Sequence, residues 1–191
     1  MIGNLPPLRM NPELKIILWP DPRLKKVSRP IETFDQNLST LAARMFELMR
    51  ENKGVGLAAP QVGLNIRLFV MNATGEPGQD RVYINPELSD ADGEEEGEEG
   101  CLSLPEIRIQ VLRSRTLRMR ARDLEGKAFE ELQSGFPARV WQHEVDHLNG
   151  TMLVDRMSPV TRMANRRLLK DLEERYELEH PVTALTKRPR K

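Results

Sequence analysis

Two histidines four residues apart, His143 and His147, constrain this chain more than any other feature. They lie in a stretch, residues 136–149, that reads as a helix, with Gly150 as its stop. An α-helix turns once in 3.6 residues, so side chains at i and i+4 share a face. Both imidazoles can therefore reach one metal ion, while Glu144, beside the first histidine, can act on a metal-bound water as general base. Only three of the five motif residues are fixed. A helix with two hydrogen-bonded, purely structural histidines is an equally good reading of the motif alone.

A catalytic metal site of this type needs a third protein ligand and an open position for water. The longer pattern His-x-x-Gly-x-x-His begins here with His147 and Gly150, but it puts Leu153 where the ligand is needed, and leucine cannot ligate. Two alternatives stay open. Glu173 or Glu174 could serve by spacing, from a following helix. The other candidate is Cys101, within Glu99-Gly100-Cys101-Leu102-Ser103-Leu104-Pro105. A thiolate is a strong ligand for Zn(II) or Fe(II). A small apolar side chain in the core is the bland alternative for the same cysteine. Because Cys101 is the chain's one cysteine, no intrachain disulfide can form, which fits a reducing compartment. A chain of 191 residues can bury a core without such staples.

The remaining sequence supplies helices and strands in separate runs. Leu38, Leu41, Ala42, Met45, Leu48 and Met49 recur at helical spacing in residues 37–53, and Gly54 follows as a stop. Residues 66–71 and 82–84 read as strands, joined by a turn region with Gly75, Pro77 and Gly78. Leu117, Met119 and Ala121 alternate with Arg118, Arg120 and Arg122, as in a half-exposed strand; Glu125-Gly126 turns toward a partner strand at 128–132. A last helix is expected from Pro159 to about residue 179, before Pro181. The fold class is therefore α+β. The acidic run at residues 94–99, broken by Gly97, reads as a solvated loop. Residues 1–13 read as an irregular leader and residues 181–191 as a disordered basic tail. Lys plus Arg and Asp plus Glu number 29 each, so no global charge favours nucleic acid or a bilayer. Neither a signal peptide nor a membrane-spanning run is visible, and a cytoplasmic location is expected.

Three separated stretches resemble the signature motifs of peptide deformylases. They are Gly54-Val55-Gly56-Leu57-Ala58-Ala59-Pro60-Gln61, then Glu99-Gly100-Cys101-Leu102-Ser103, then Gln142-His143-Glu144-Val145-Asp146-His147-Leu148. Their order and separation also agree, and the likeness extends over residues 15–160. The resemblance implies one domain over residues 1–191. Short antiparallel strands would pack around a central metal-binding helix, with helices toward both termini. It implies a hydrolase that removes the formyl group from the N-terminal formyl-methionine of nascent polypeptides and releases formate. Cys101, His143 and His147 would hold one divalent ion, Fe(II) in the cell, with Zn(II), Ni(II) or Co(II) as substitutes. Glu144 would serve as base and then as acid. The Gln61 amide and the Leu102 backbone N–H would stabilise the oxyanion.

By the same resemblance, Gly54, Gly56 and Gly100 line a strip that pairs with the substrate main chain. Val55, Phe136 and Val140 belong to a methionine pocket, and Arg108 to the substrate cleft. The partners implied are formyl-methionyl nascent peptides. A transient ribosome contact is compatible with this, whereas a stable nucleic-acid complex or a membrane is not expected. Arg139 departs from the pattern, standing where many bacterial members carry an aliphatic residue. Its guanidinium must then face solvent or an acidic partner. Asp146 is a candidate partner for an imidazole N–H, with a surface role as its alternative.

Overall fold

The computed structural model describes residues 14–181, so the expected leader and residues 182–191 of the expected tail lie outside the described residues. Five strands, β1 (Gly56–Ala58), β2 (Leu68–Met71), β3 (Arg81–Cys101), β4 (Leu104–Arg122) and β5 (Ala128–Ser134), form one sheet in chain order. Every pairing is antiparallel. The helices are α1 (Gln36–Glu51), α2 (Phe136–Leu148), α3 (Pro159–Ala164) and α4 (Arg166–Glu179). The α+β class is as expected. The single last helix is instead two, broken at Asn165 between α3 and α4.

Helix α1 starts at Asp35, whose Oδ1 accepts the Leu38 N–H at 3.0 Å. Its apolar face, including Leu38, Leu41, Met45 and Met49, packs on Leu57, Leu68, Val70 and Ile84. Helix α2 lays Ala138, Trp141, Val145 and Leu148 against Phe69, Tyr83, Leu117 and Met119. The i, i+3, i+4 spacing of these α2 residues leaves His143 and His147 for the opposite side of the helix, with Glu144 on the flank between. A third apolar cluster joins Ile17, Trp19 and Leu24 to Ile107, Ile109, Val111 and the α4 residues Leu169 and Leu172.

The acidic run at 94–99 is not a loop. It belongs to β3, with Glu94 opposite Ser114 and Glu98 opposite Gln110. Strands β3 and β4 are correspondingly long, 21 and 19 residues, where short strands were expected. Glutamate and glycine have low strand preference. Here the partner decides: Ile109 and Val111 of β4 are buried in the core, and β3 pairs with them through Glu99 and Gly97 while its own Glu94, Glu95, Glu96 and Glu98 stay in water. Register shifts at Ile84/Glu87, Ser89/Asp92 and Gly100/Cys101 bend the hairpin. The last of these puts Cys101 at its tip. Two N-terminal backbone bonds brace this region, Trp19 N–H to Ser103 O at 2.9 Å and Ile17 N–H to Gln61 O at 2.8 Å.

Arg139 resolves to the acidic-partner alternative. Its side chain is buried and reaches from α2 onto the hairpin. Nη1 donates to Glu99 Oε1 at 2.9 Å and to Val111 O at 2.8 Å, and Nη2 donates to Glu95 O at 2.6 Å. The guanidinium lies flat over Gly97, where an added Cβ would sit 2.9 Å from its central carbon. Gly97→Ala must therefore push a buried cation off its acceptors. We expect urea denaturation to show a loss of about 1–3 kcal/mol, with a less-than-additive loss when Arg139→Ala is added. Additive losses would show that the two positions are not in contact.

Candidate metal centre and active site

The hairpin tip and helix α2 bring three ligand-type atoms together. A cysteine sulfur and two imidazole nitrogens, from Cys101, His143 and His147, all lie within 4.8 Å of one another. Cys101 Sγ is 3.3 Å from His147 Nε2. Among the described residues this is the one such group of three. Glu173 and Glu174 are exposed on α4, and Glu174 pairs with Lys170 instead, so the glutamate alternative for a third ligand is not supported.

Glu144 is buried beside the group. Its Oε2 has no hydrogen-bond partner among the described residues. Burial pushes its carboxyl up to about 7, with Glu99 and Asp146 adding to the rise and His143 and Arg113 opposing it. Gly56 makes room for it, since a Cβ there would fall 2.4 Å from Glu144 Oε1.

Behind His143 lies an ionic network that sequence reasoning missed. His143 Nδ1–H donates to Glu99 Oε2 at 3.0 Å. Arg113 grips Glu99 through Nε and Nη2, both at 2.9 Å, and reaches Asp146 through Nη1 at 2.7 Å. Asp146 also accepts from Arg156 Nε at 2.6 Å. Asp146 therefore pairs with two arginines, and the imidazole partner is Glu99. A usable signal existed: on a strand, residues two apart share a face, so Glu99 and Cys101 would have been placed together had 94–99 been read as β.

The charges shape one another. Burial works against the ionised form of Glu99, yet bonds from Arg113 and His143 outweigh it and hold the carboxyl well below the usual range. Burial likewise opposes charge on His143, but Cys101 and Glu99 raise its pKa well above the ordinary value. His147 is lowered well below it, by burial and by the His143 charge.

A cleft of about 570 Å³ opens over this centre. Gly54, Val55, Gly56, Gln61, Gly100, Cys101, Leu102, Arg108, Phe136, Val140, His143 and Glu144 all line it, while His147 lies behind the wall. Gln61 is buried, with Oε1 accepting the Ala58 N–H at 2.9 Å. Its Nε2 then points to Ser103 Oγ at 3.3 Å and Cys101 Sγ at 3.6 Å. The Leu102 side chain packs over Gly54, 2.7 Å from where a Cβ would stand. Val55 and Phe136 are 37% and 52% exposed, apolar surface facing a cleft, whereas Val140 is buried. Arg108 stands at the rim, largely exposed, 3.5 Å from Glu98.

A sulfur and two imidazoles beside a buried carboxylate, at the floor of a cleft, define a metal-binding hydrolase. Residues 13–163 match the family model described as polypeptide deformylase, and the chain belongs to the peptide deformylase family. It is 45% identical over 159 residues to the peptide deformylase of Thermotoga petrophila, covering 83% of this chain and 95% of that one. With the Rhodopirellula baltica peptide deformylase it shares 49% over 146 residues, 75% and 73% of the two chains. The fold matches an inhibitor complex of Arabidopsis thaliana peptide deformylase 1B with a TM-score of 0.84 at 40% identity, covering 88% of this chain and 94% of the other. For a Legionella pneumophila peptide deformylase the TM-score is 0.80 at 44% identity, with 87% and 98% covered.

The Glu99 shift sets a pH dependence. Its folded-state pKa lies below the ordinary 4.5, so its contribution is full above that pH and is lost as pH falls toward the folded value. The stability advantage of wild type over Glu99→Gln, from urea titrations at several pH values, should shrink below about pH 4.5. An advantage independent of pH would mean that Glu99 carries no such shift.

Proposed function

We propose that this chain hydrolyses the formyl amide of N-formylmethionyl nascent polypeptides, with Glu144 as the group that moves the proton. The observation that carries the reading is the meeting of Cys101, His143 and His147 within 4.8 Å beside the unpartnered Glu144 carboxylate. Their donor set of one sulfur and two nitrogens fits a single Fe(II) or Zn(II) ion. Cys101, His143 and His147 would hold it, with Fe(II) as the working metal in the cytoplasm and Zn(II), Ni(II) or Co(II) as replacements. When bound, such an ion supplies Lewis acidity and lowers the pKa of water toward neutrality.

The protein groups do the rest. Glu144 takes a proton from the attacking water and gives it to the leaving amine, and a carboxyl pKa of about 7 suits both directions. Gln61, fixed at Oε1 by the Ala58 N–H, presents Nε2 to the oxyanion that develops at the formyl oxygen. The Leu102 backbone N–H at the hairpin tip is the second donor. Strand β1 is the edge of the sheet, so residues 54–56 and the facing Gly100 can pair with a substrate main chain. Val55, Phe136 and Val140 offer apolar surface to the methionine side chain, and Arg108 can meet a substrate carbonyl at the rim. A transient ribosome contact would suit such a substrate. Among the described residues, no helix is long and apolar enough to cross a membrane.

The test is formate release from formyl-Met-Ala peptides, with metal analysis of the same anaerobically purified sample. Wild type should turn over and contain one metal, iron before exposure to air. Glu144→Ala should keep its metal yet lose about 10²–10⁴-fold in rate, and Cys101→Ala should lose the metal. A metal-replete wild type that releases no formate sinks the proposal. Gln61→Leu should lower kcat by about 10²–10³-fold with little change in product affinity; equal losses in both would remove Gln61 from the oxyanion role.

A further inference from the structure

Arg113 touches neither the sulfur nor an imidazole, and it does not line the cleft. Its side chain is nonetheless only 4% exposed, and the side-chain hydrogen bonds it makes all go to carboxylates. Nε and Nη2 take one oxygen of Glu99 each, the parallel fork that a guanidinium forms and an ammonium cannot. Nη1 is held by Asp146, which Arg156 holds from the other side. The guanidinium is thus pinned at both ends, and Glu99 cannot turn.

The consequence reaches the metal centre. Both Glu99 oxygens already accept from guanidinium N–H groups, and an ionised carboxylate has no proton to give. The contact at 3.0 Å therefore requires His143 Nδ1 to be the donor. Nε2 is then the nitrogen left for ligation, with the ring plane fixed. His147 has no equivalent support, since its Nδ1 is buried without a partner among the described residues. One carboxylate orients His143, and one arginine orients the carboxylate. Arg139 differs: it reaches only Oε1, the oxygen that faces away from His143.

We infer that Arg113 is a positioning residue, gripping Glu99 so that the His143 imidazole stands ready to bind metal. The inference rests on the reading of Cys101, His143 and His147 as the metal ligands. The experiment is Zn(II) affinity of purified protein, measured by competition with a chromophoric chelator. Arg113→Lys keeps the charge but loses the fork, and should weaken Zn(II) binding about 10–100-fold. Arg139→Met, which leaves the Arg113 fork on Glu99 in place, should weaken Zn(II) binding less than Arg113→Lys does while lowering the urea midpoint. Arg156→Met alters a partly exposed side chain and keeps the test usable if Arg113→Lys fails to fold; it should weaken Zn(II) binding by a smaller factor. Unchanged affinity in the folded Arg113→Lys protein, or in Arg156→Met if only that variant folds, overturns the inference. So does an equal loss in Arg139→Met, which would mark a general effect of stability. Wild type that binds no Zn(II) would overturn the metal-centre reading, and this inference with it.

Discussion

The buried carboxylate of Glu99 lies where the β3–β4 hairpin meets helix α2, and the active centre depends on what it binds. Arg113 comes from the neighbouring strand, while Arg139 and His143 come from the helix. Burying these charges is costly unless each is paired, and removing one partner of such a network costs about 3–5 kcal/mol. In this arrangement of hairpin and helix all four groups are paired together. The same arrangement carries Cys101, at the hairpin tip, to the histidines. Packing of apolar faces brings the elements near one another, and the ionic contacts join hairpin to helix at this register.

Two glycines show how closely polar side chains approach the sheet. Gly97 lies under the Arg139 guanidinium and Gly56 under the Glu144 carboxylate. In each case a buried charged group from α2 rests on a strand where a side chain would otherwise stand. The first contact anchors the helix, and the second makes room for the buried Glu144 carboxylate beside the metal-ligand group. Glu144 is desolvated by this close fit, which is the largest cause of its raised pKa. Local backbone composition therefore reaches the chemistry through packing.

Much of the architecture was legible in short-range pattern. Helix α1 follows the spacing of Leu38, Leu41, Met45 and Met49, and helix α2 follows the segment that carries the two histidines. The strand alternation at 117–122 and the turn at Glu125-Gly126 also appear where expected. The acidic run was misread because its strand state comes from pairing with β4, a partner that local composition does not reveal. Asp146 stood as a candidate imidazole partner beside a surface role, and Glu99 was placed in a loop, for the same reason. Which of two carboxylates meets a histidine depends on how hairpin and helix cross.

By itself, the sequence determined the chemical inventory: two imidazoles on one helical face, an adjacent carboxylate, a lone thiol within a second motif and a glycine-bounded strip ending in Gln61. These follow from helical period and residue identity, which are local. Only the tertiary structure decided that Cys101, and neither Glu173 nor Glu174, joins the histidines. It alone turned Arg139 inward and made Arg113 the partner of Glu99. Such contacts join residues far apart in the chain, and their geometry exists only once burial has forced every charge to find its counterpart.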